Sequence, residues 1–377
     1  MVAILAVHAN SSRKSEVPTV SARLLAASAA ATVVAAVLLR RKYRRGVAAD
    51  LRDLIGGTPL VRLRSLSEAT GCEILGKCEF LNPGGSSKDR VAAAIVAEAE
   101  ASGALRPGGT LVEATSGSTG VSLALLARAC GYRCLLVVTD DVSDEKRRLM
   151  EALGAEVELV PPAPIADPRN AVNVARRRAA ELGAGSIFCN QFDNLANMRA
   201  HAAGMGPEVW RQTAGAVDAF VMSAGTGGPL AGVSAYLKRR RAAVRVYLVD
   251  PPGSSLYYRA RHGVAYCAEQ QERTARRNRY DSLVEGVGLD RVSANYERAA
   301  VDDAFAVGDD ETVAMARHLL QAEGLFVGGS AAMNCVGAVH AARRLGPGHT
   351  VVTVLCDSGA RYMSTVHAPA GGPGAPG

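Results

Sequence analysis

Aromatic side chains are scarce in this chain. One Trp, six Phe and ten Tyr in 377 residues leave few of the stacking surfaces with which proteins grip single-stranded nucleic acid. Paired cysteine motifs are absent too. The eight cysteines stand at 72, 78, 130, 134, 189, 267, 335 and 356, with no Cys-x-x-Cys and no His/Cys pair to match Cys130 and Cys134. No metal site is therefore expected. Scattered single cysteines read as small core residues of a protein kept in a reducing compartment, with Cys267, in a polar stretch, the one expected to be exposed. No internal repeat is present. The body also lacks an excess of either charge. The formal net charge is +7, and residues 1–46 carry it: eight basic residues there face only Glu16, and removing these from 43 basic and 36 acidic residues leaves 35 of each. A neutral body with few aromatics excludes nucleic acid as the expected partner.

The N-terminal segment has a character of its own. Leu24–Leu39, LLAASAAATVVAAVLL, is uncharged. Extended back to Pro18 it would make a helix of about 33 Å at ~1.5 Å per residue, near the ~30 Å hydrocarbon thickness of a bilayer, with Arg23 snorkelling to one interface. The basic cluster RRKYRR follows the apolar run, whereas a secretory peptide carries its charge ahead of it. Residues 1–46 are thus expected to be an anchor or targeting segment, with a membrane-anchor helix over about 20–39 and its basic side in the cytosol. The expected location is the mitochondrial outer membrane with the body facing the cytosol. A matrix presequence is the alternative.

From about Leu51 the pattern alternates. Apolar strand-like runs cover 73–80, 110–115, 133–140, 156–161, 186–192, 219–225, 244–250 and 350–358. Helical periodicity covers 88–102, 119–130, 143–153, 170–182, 197–213, 228–241, 309–323 and 331–345. Such alternation predicts an α/β fold with parallel sheets flanked by helices. Residues 251–282, polar and rich in arginine, interrupt the rhythm and read as a solvated insertion. The last ten residues, 368–377, read as a disordered tail.

Chemistry gathers at strand ends. After the strand ending near Ala114, the loop TSGSTG offers hydroxyls and backbone N–H groups at a helix start, a seat for a carboxylate or phosphate. After 219–222, Gly225-Thr226-Gly227-Gly228 opens the next helix as a phosphate cradle. It mimics a dinucleotide fingerprint, but Leu230 stands where the third glycine belongs. Ser358-Gly359 follows the last strand. Lys88 sits at the start of a helix, just past the turn NPGGSS. A phosphate cradle, an anion loop and an isolated lysine together point to one cofactor, pyridoxal 5′-phosphate, which needs a lysine amine and a phosphate anchor.

Nine motifs run in order over about 310 residues: IGGTPLVRL (55–63), NPGGSSKDR (82–90), TSGSTG (115–120), NQFDNLANMRAH (190–201), GPEVW (206–210), SAGTGG (223–228), EGVG (285–288), EGLFVGGS (323–330) and DSGARYMST (357–365). In these the chain resembles the fold-type II (tryptophan synthase β-like) pyridoxal-phosphate enzymes, in the cysteine synthase (O-acetylserine sulfhydrylase) and cystathionine β-synthase branch. Asp89 after the lysine sets it apart from the dehydratases of that fold, which usually carry Lys-x-Arg-Gly. The N-terminus and the arginine-rich insertion resemble the cysteine-synthase-like proteins of fungal mitochondrial outer membranes.

The resemblance implies a two-domain catalytic region over 47–367, with a smaller mobile subdomain at about 85–190 inserted between 47–84 and 191–367. It implies Lys88 as the cofactor lysine and general base, Gly225, Thr226, Gly227 and Gly228 around the phosphate, Ser358 at the pyridine nitrogen and Ser118 at the ring 3′-oxygen. Thr115, Ser116, Thr119 and Gln191 would hold the substrate carboxylate. Two departures stand out: Ser118 replaces the usual Asn, and Pro229 replaces the Thr that usually continues the phosphate loop. The implied reaction is a β-replacement that forms L-cysteine from O-acetyl-L-serine, or a related activated serine, and sulfide through an aminoacrylate, in a homodimeric transferase of amino-acid biosynthesis. Cysteine desulfhydrase or cystathionine β-synthase chemistry is the alternative within the branch. Relatives of the latter usually carry a haem segment or a regulatory module, for which no room is expected after about residue 367. A membrane-tethered, cofactor-binding pseudoenzyme is the alternative of another class, and an intact Lys88 speaks against it.

Overall fold

The strands of the body are β1 (Leu60–Arg62), β2 (Glu73–Cys78), β3 (Thr110–Ala114), β4 (Arg133–Thr139), β5 (Glu156–Val160), β6 (Ile187–Phe188), β7 (Ala219–Met222), β8 (Arg245–Asp250), β9 (Asp303–Ala306) and β10 (Thr350–Leu355). They form two sheets, one of six strands in the order β1-β2-β10-β7-β8-β9 and one of four in the order β5-β4-β3-β6. The structure is a computed structural model that describes residues 47–142, 144–266, 282–289 and 291–368. The apolar span 20–39, Cys267, the arginines at 273–279 and the tail from 369 onward lie outside the described residues. Among the described residues no helix is long and apolar enough to cross a membrane.

Strand pairing is parallel throughout except for β1, which runs antiparallel to β2. Side chains alternate across each strand, and each sheet has an apolar cluster on either face. On β7, Ala219 and Val221 join the cluster under helix Gly329–Leu345, while Phe220 and Met222 join the one under helix Gly228–Arg240. On the small sheet, Leu111, Leu136 and Val138 pack to one side, and Val112, Leu135 and Val137 to the other.

Several local expectations change. The predicted helix over 197–213 is two helices, Ala196–Ala203 and Met205–Gln212. Pro207 has no N–H to give back to the preceding turn, so the chain breaks at Gly204, and the second helix takes the proline in its first turn, where that donor is not needed. The strand predicted over 186–192 shrinks to Ile187–Phe188. β1, β9 and the short helix Arg64–Thr70 escaped notice because each is too brief to show a period. Part of the supposed solvated insertion is packed: Ser255–His262 is helical, its Ser254 cap accepts from two backbone N–H groups, and Leu256 is buried.

The order of the large sheet positions the site. β10 lies between β2 and β7 and parallel to both. The loops leaving the carboxyl ends of these strands therefore emerge side by side, where ligands of open α/β sheets bind. β3 and β6 deliver Thr115–Thr119 and Gln191 from the smaller sheet to the same place.

Candidate active site

A cavity of about 340 Å³ opens at these strand ends. Lys88, Thr115, Ser116, Ser118, Thr119, Gln191, Gly225 and Thr226 line it, all anticipated from the sequence. Gly227 precedes helix Gly228–Arg240 as its N-cap, Gly228 opens it, and Pro229, in its first turn, lines the cavity.

Four helices begin at the cavity, at Lys88, Ser118, Gly228 and Gly329, and none has a side-chain cap. Some other helices are capped, as by Asn170 and Ser254, while Arg64–Thr70, Ala196–Ala203 and Met205–Gln212 are uncapped as well. Uncapped N-termini leave backbone N–H groups and the positive ends of helix dipoles turned toward one space, which favours an anion. The phosphate loop is shaped by close approaches. A Cβ on Gly225 would lie 2.1 Å from the Gly286 carbonyl oxygen, and Gly227 has φ of +78°, beside the backbone of Tyr296. Asn197 Nδ2 donates to Thr226 Oγ1 at 2.8 Å, and Ser293 Oγ donates to the Thr226 carbonyl at 2.8 Å, so the loop is braced from two sides.

Thr119 and Gln191 are coupled. The buried Thr119 hydroxyl donates to Gln191 Oε1 at 2.6 Å, which leaves the Gln191 amide hydrogens for another acceptor. Below them Glu113 is buried and accepts from the backbone N–H groups of Ala114 and Gln191, both at 2.9 Å. Burial pushes its carboxyl up to about 7, against the pull of those two bonds.

Lys88 is half-buried at the cavity edge. Its backbone N–H donates to Ser86 Oγ at 3.2 Å, and among the described residues its Nζ has no hydrogen-bond or ion-pair partner. Ser118 is bound from behind: Arg361 Nη1 donates to its hydroxyl at 3.0 Å, and that hydroxyl reaches Asp357 Oδ2 at 3.4 Å.

Ser358 does not line the cavity. Its hydroxyl accepts from Ala360 N–H at 3.3 Å and caps a short turn. Its neighbours Cys356 and Asp357 line the cavity instead, with Ser330 and Tyr362. Sequence reasoning passed over these four. Ser330 had a signal, the Gly328-Gly329-Ser330 run opening a helix, which is the pattern read as significant at 225–228. Burial pushes the Cys356 thiol up to about 12.

The sequence profile of the pyridoxal-phosphate dependent enzymes matches residues 51–357. The chain belongs to that family. Cysteine synthase 2 of Schizosaccharomyces pombe is 48% identical over 324 residues, 83% of this chain and 82% of that one. A Saccharomyces cerevisiae protein provisionally named a mitochondrial cysteine synthase is 44% identical over 83% of this chain and 82% of its own. Among solved structures, O-ureido-L-serine synthase superposes with a TM-score of 0.74 at 32% identity, covering 84% of this chain and 94% of that one. The fold is thus the α/β architecture of fold-type II pyridoxal-phosphate enzymes. Members of the family depend on pyridoxal phosphate, and the residues present fit it: an unpartnered lysine for the aldehyde, and uncapped helix starts with a braced glycine loop for the phosphate.

Proposed function

We propose that the protein forms L-cysteine by β-replacement, joining sulfide to the β-carbon of O-acetyl-L-serine or a related activated serine. The observation that carries this reading is Lys88, an amine with no partner, at the rim of a cavity where four uncapped helices converge. The naming of close relatives as cysteine synthases supports the choice of reaction.

Bound pyridoxal phosphate supplies an aldehyde for amines and an electron sink that eases loss of the Cα proton and of the β-substituent. Lys88 Nζ would hold the cofactor's aldehyde group, and as a general base it would take the Cα proton and give it back. Gly225, Thr226, Gly227 and Gly228, at the start of their helix, hold the phosphate. Ser330, in the cavity wall, would take the role expected of Ser358 toward the ring nitrogen, and Ser118 would serve the ring oxygen. Thr115, Ser116, Thr119 and the Gln191 amide fix the substrate carboxylate, so that the reacting bonds are oriented before reaction. Met222, Val287 and Leu289 supply an apolar lining. Residues of about 85–190, which contain all the strands of the small sheet, move as a unit to close the cavity, and two chains associate as a dimer. The segment 1–46 tethers the enzyme to mitochondria by the span 20–39, or directs it inside.

A substrate panel tests the reaction. O-acetylserine, O-phosphoserine, serine and cysteine are each assayed with and without sulfide, on the wild-type and Lys88→Ala proteins. Cysteine formed from O-acetylserine and sulfide by the wild type alone is expected. Sulfide released from cysteine would mark a desulfhydrase, and cofactor bound without any turnover would mark a pseudoenzyme. Protease treatment of intact mitochondria separates an outer-membrane from a matrix location.

A further inference from the structure

We propose that Glu113 is the positioning residue that sets the width of the substrate-carboxylate seat, by holding the 115–119 loop and Gln191 apart at the ends of their strands. This rests on those residues being the seat.

β3 and β6 run parallel, with Leu111 beside Ile187 and Val112 beside Phe188. Their backbone ladder ends where Cys189 N–H donates to the Val112 carbonyl at 2.9 Å. Two residues further along each chain, the same ladder would bring Gln191 N–H onto the Ala114 carbonyl. That N–H donates instead to Glu113 Oε2 at 2.9 Å, and Oε1 of the same carboxyl accepts from Ala114 N–H at 2.9 Å. A side chain thus stands where the ladder would have closed. On its other side β3 stays tied, since Thr115 N–H donates to the Val137 carbonyl at 3.1 Å. The strands part only between β3 and β6, and Ala114, Thr115 and Gln191 line the cavity there.

The turn after β6 is shaped to meet the carboxyl. Asn190 has φ of +52°, in the left-handed region that Asn enters more readily than most residues. Gln191 is then held at three points. Its N–H goes to Glu113, its carbonyl accepts from Asn197 Nδ2 at 2.8 Å and Asn295 Nδ2 at 3.3 Å, and its Oε1 accepts from Thr119 at 2.6 Å. The two sides of the seat therefore meet twice, through the Thr119–Gln191 bond and through Glu113 beneath it.

Packing does not account for the acid. Glu113 is 1% exposed, and among the described residues no basic side chain pairs with it. A buried carboxyl without a cation costs the fold. An apolar side chain, such as Leu111 on the same face of the strand, would fill the space without that cost. What the carboxyl adds is two acceptor oxygens for two backbone donors on separate chains. Glu113 itself does not line the cavity, so it acts through the two segments it spaces.

The test uses the full-length protein with pyridoxal phosphate bound, titrated with L-alanine and with ethylamine and followed by visible absorbance. Alanine has an amine and a carboxylate and no β-substituent to lose. Ethylamine is the same molecule without the carboxylate. Glu113→Gln can accept from only one of the two N–H groups. It should weaken alanine binding by about ten-fold or more, the measure of a disturbed hydrogen bond to a charged group, and leave ethylamine unchanged. Glu113→Asp, a methylene shorter, should show the same selective loss, and it decides the matter if the Gln variant does not fold. Equal weakening of both ligands would mark a merely structural role and overturn the proposal, as would no change in either. The wild type separates this from the reading beneath it. If it prefers alanine and the Glu113 variants keep that preference, only the spacing role falls. If it binds the two ligands alike, the carboxylate seat falls, and the spacing role with it.

Discussion

Lys77 and Lys88 stand on β2 and on the helix that follows it, and the fold treats them in opposite ways. Lys77 is completely buried, yet its Nζ reaches Glu208 Oε2 at 2.7 Å, the Thr58 carbonyl at 2.5 Å and Gln212 Oε1 at 2.9 Å. An ammonium has three hydrogens, and all are used. Arg90, on the same helix as Lys88, extends the cluster. It grips Glu79 through Nε at 2.7 Å and Nη2 at 2.8 Å, and Glu208 through Nη1 at 2.9 Å and Nη2 at 2.8 Å. Lys88 has more solvent and no partner. A buried charge with every donor satisfied holds the scaffold, whereas a charge left open at a cavity is available to a ligand. The two are linked, because the cluster anchors the helix whose first residue is Lys88.

The largest effect expected from breaking this contrast is at Lys88 itself. Lys88→Ala should lower turnover by at least about 10³-fold, within the ~10²–10⁴-fold range of a lost general base, while the unfolding free energy changes by no more than about 0.5 kcal/mol, as for a side chain with no partners in the fold. Arg90→Met should show the reverse emphasis. It strands Glu79 and Glu208 without their guanidinium, and unpairing a buried ion pair costs about 3–5 kcal/mol. Urea unfolding of both variants checks the pair of outcomes. Equal destabilisation by the two would erase the distinction between scaffold and site.

Sequence patterns separated these roles only in part. Lys88 was legible because glycine, serine and a helix start surround it within a few residues, and the hydroxyl and glycine loops at 115–120 and 225–228 were legible for the same local reason. The alternation of strands and helices announced the parallel sheets. The full burial of Lys77 was not legible, since its partners Glu208 and Gln212 come from a helix far along the chain. Asp357 and Tyr362 were missed, and Ser358 taken in their stead, because what brings them to the cavity is the pairing of β10 between β2 and β7, whereas Ser330 carried a local signal, the glycines opening its helix, that went unread. One step along the chain, from 357 to 358, turns a side chain from the cavity to a cap, and composition does not register that step.

Acid and neutral pH should act on the two kinds of buried carboxylate in opposite directions. Burial would raise Glu208, but the hydrogen bond and charge of Arg90, with Lys77, hold it down at about 2. Its folded value lies below its ordinary 4.5, so its stabilisation is present above about 4.5 and is lost as pH falls through about 2. Glu113 has the opposite sign. Its folded value of about 7 lies above 4.5, so its stabilisation is full below about 4.5 and is lost as pH rises through about 7. Glu113→Gln should therefore flatten the decline of stability between those two values, after a loss of about 1 kcal/mol for the hydrogen bond that an amide cannot accept. Denaturant midpoints across that pH range read it directly. A slope unchanged in the variant would mean that Glu113 ionises freely in the fold.

The smallest effect belongs to a third kind of charge, neither closed in nor left open. Lys146 lies in the first turn of helix Asp144–Ala152, which packs with the smaller sheet, and pairs with Glu285, which lines the cavity from the 282–289 segment. Their side chains are 21% and 40% exposed. Water screens such a pair, so Lys146→Met should change unfolding by less than about 1 kcal/mol. Its position matters more than its strength, for it ties the two sides of the cavity mouth together. We expect the variant to raise KM for the amino-acid substrate a few-fold and to leave kcat alone. Salt should carry the wild type toward the same KM, since screening over a Debye length of about 10 Å at 0.1 M dissolves the same tie. A destabilisation as large as that of Arg90→Met would instead place Lys146 with Lys77, among the charges that hold the fold.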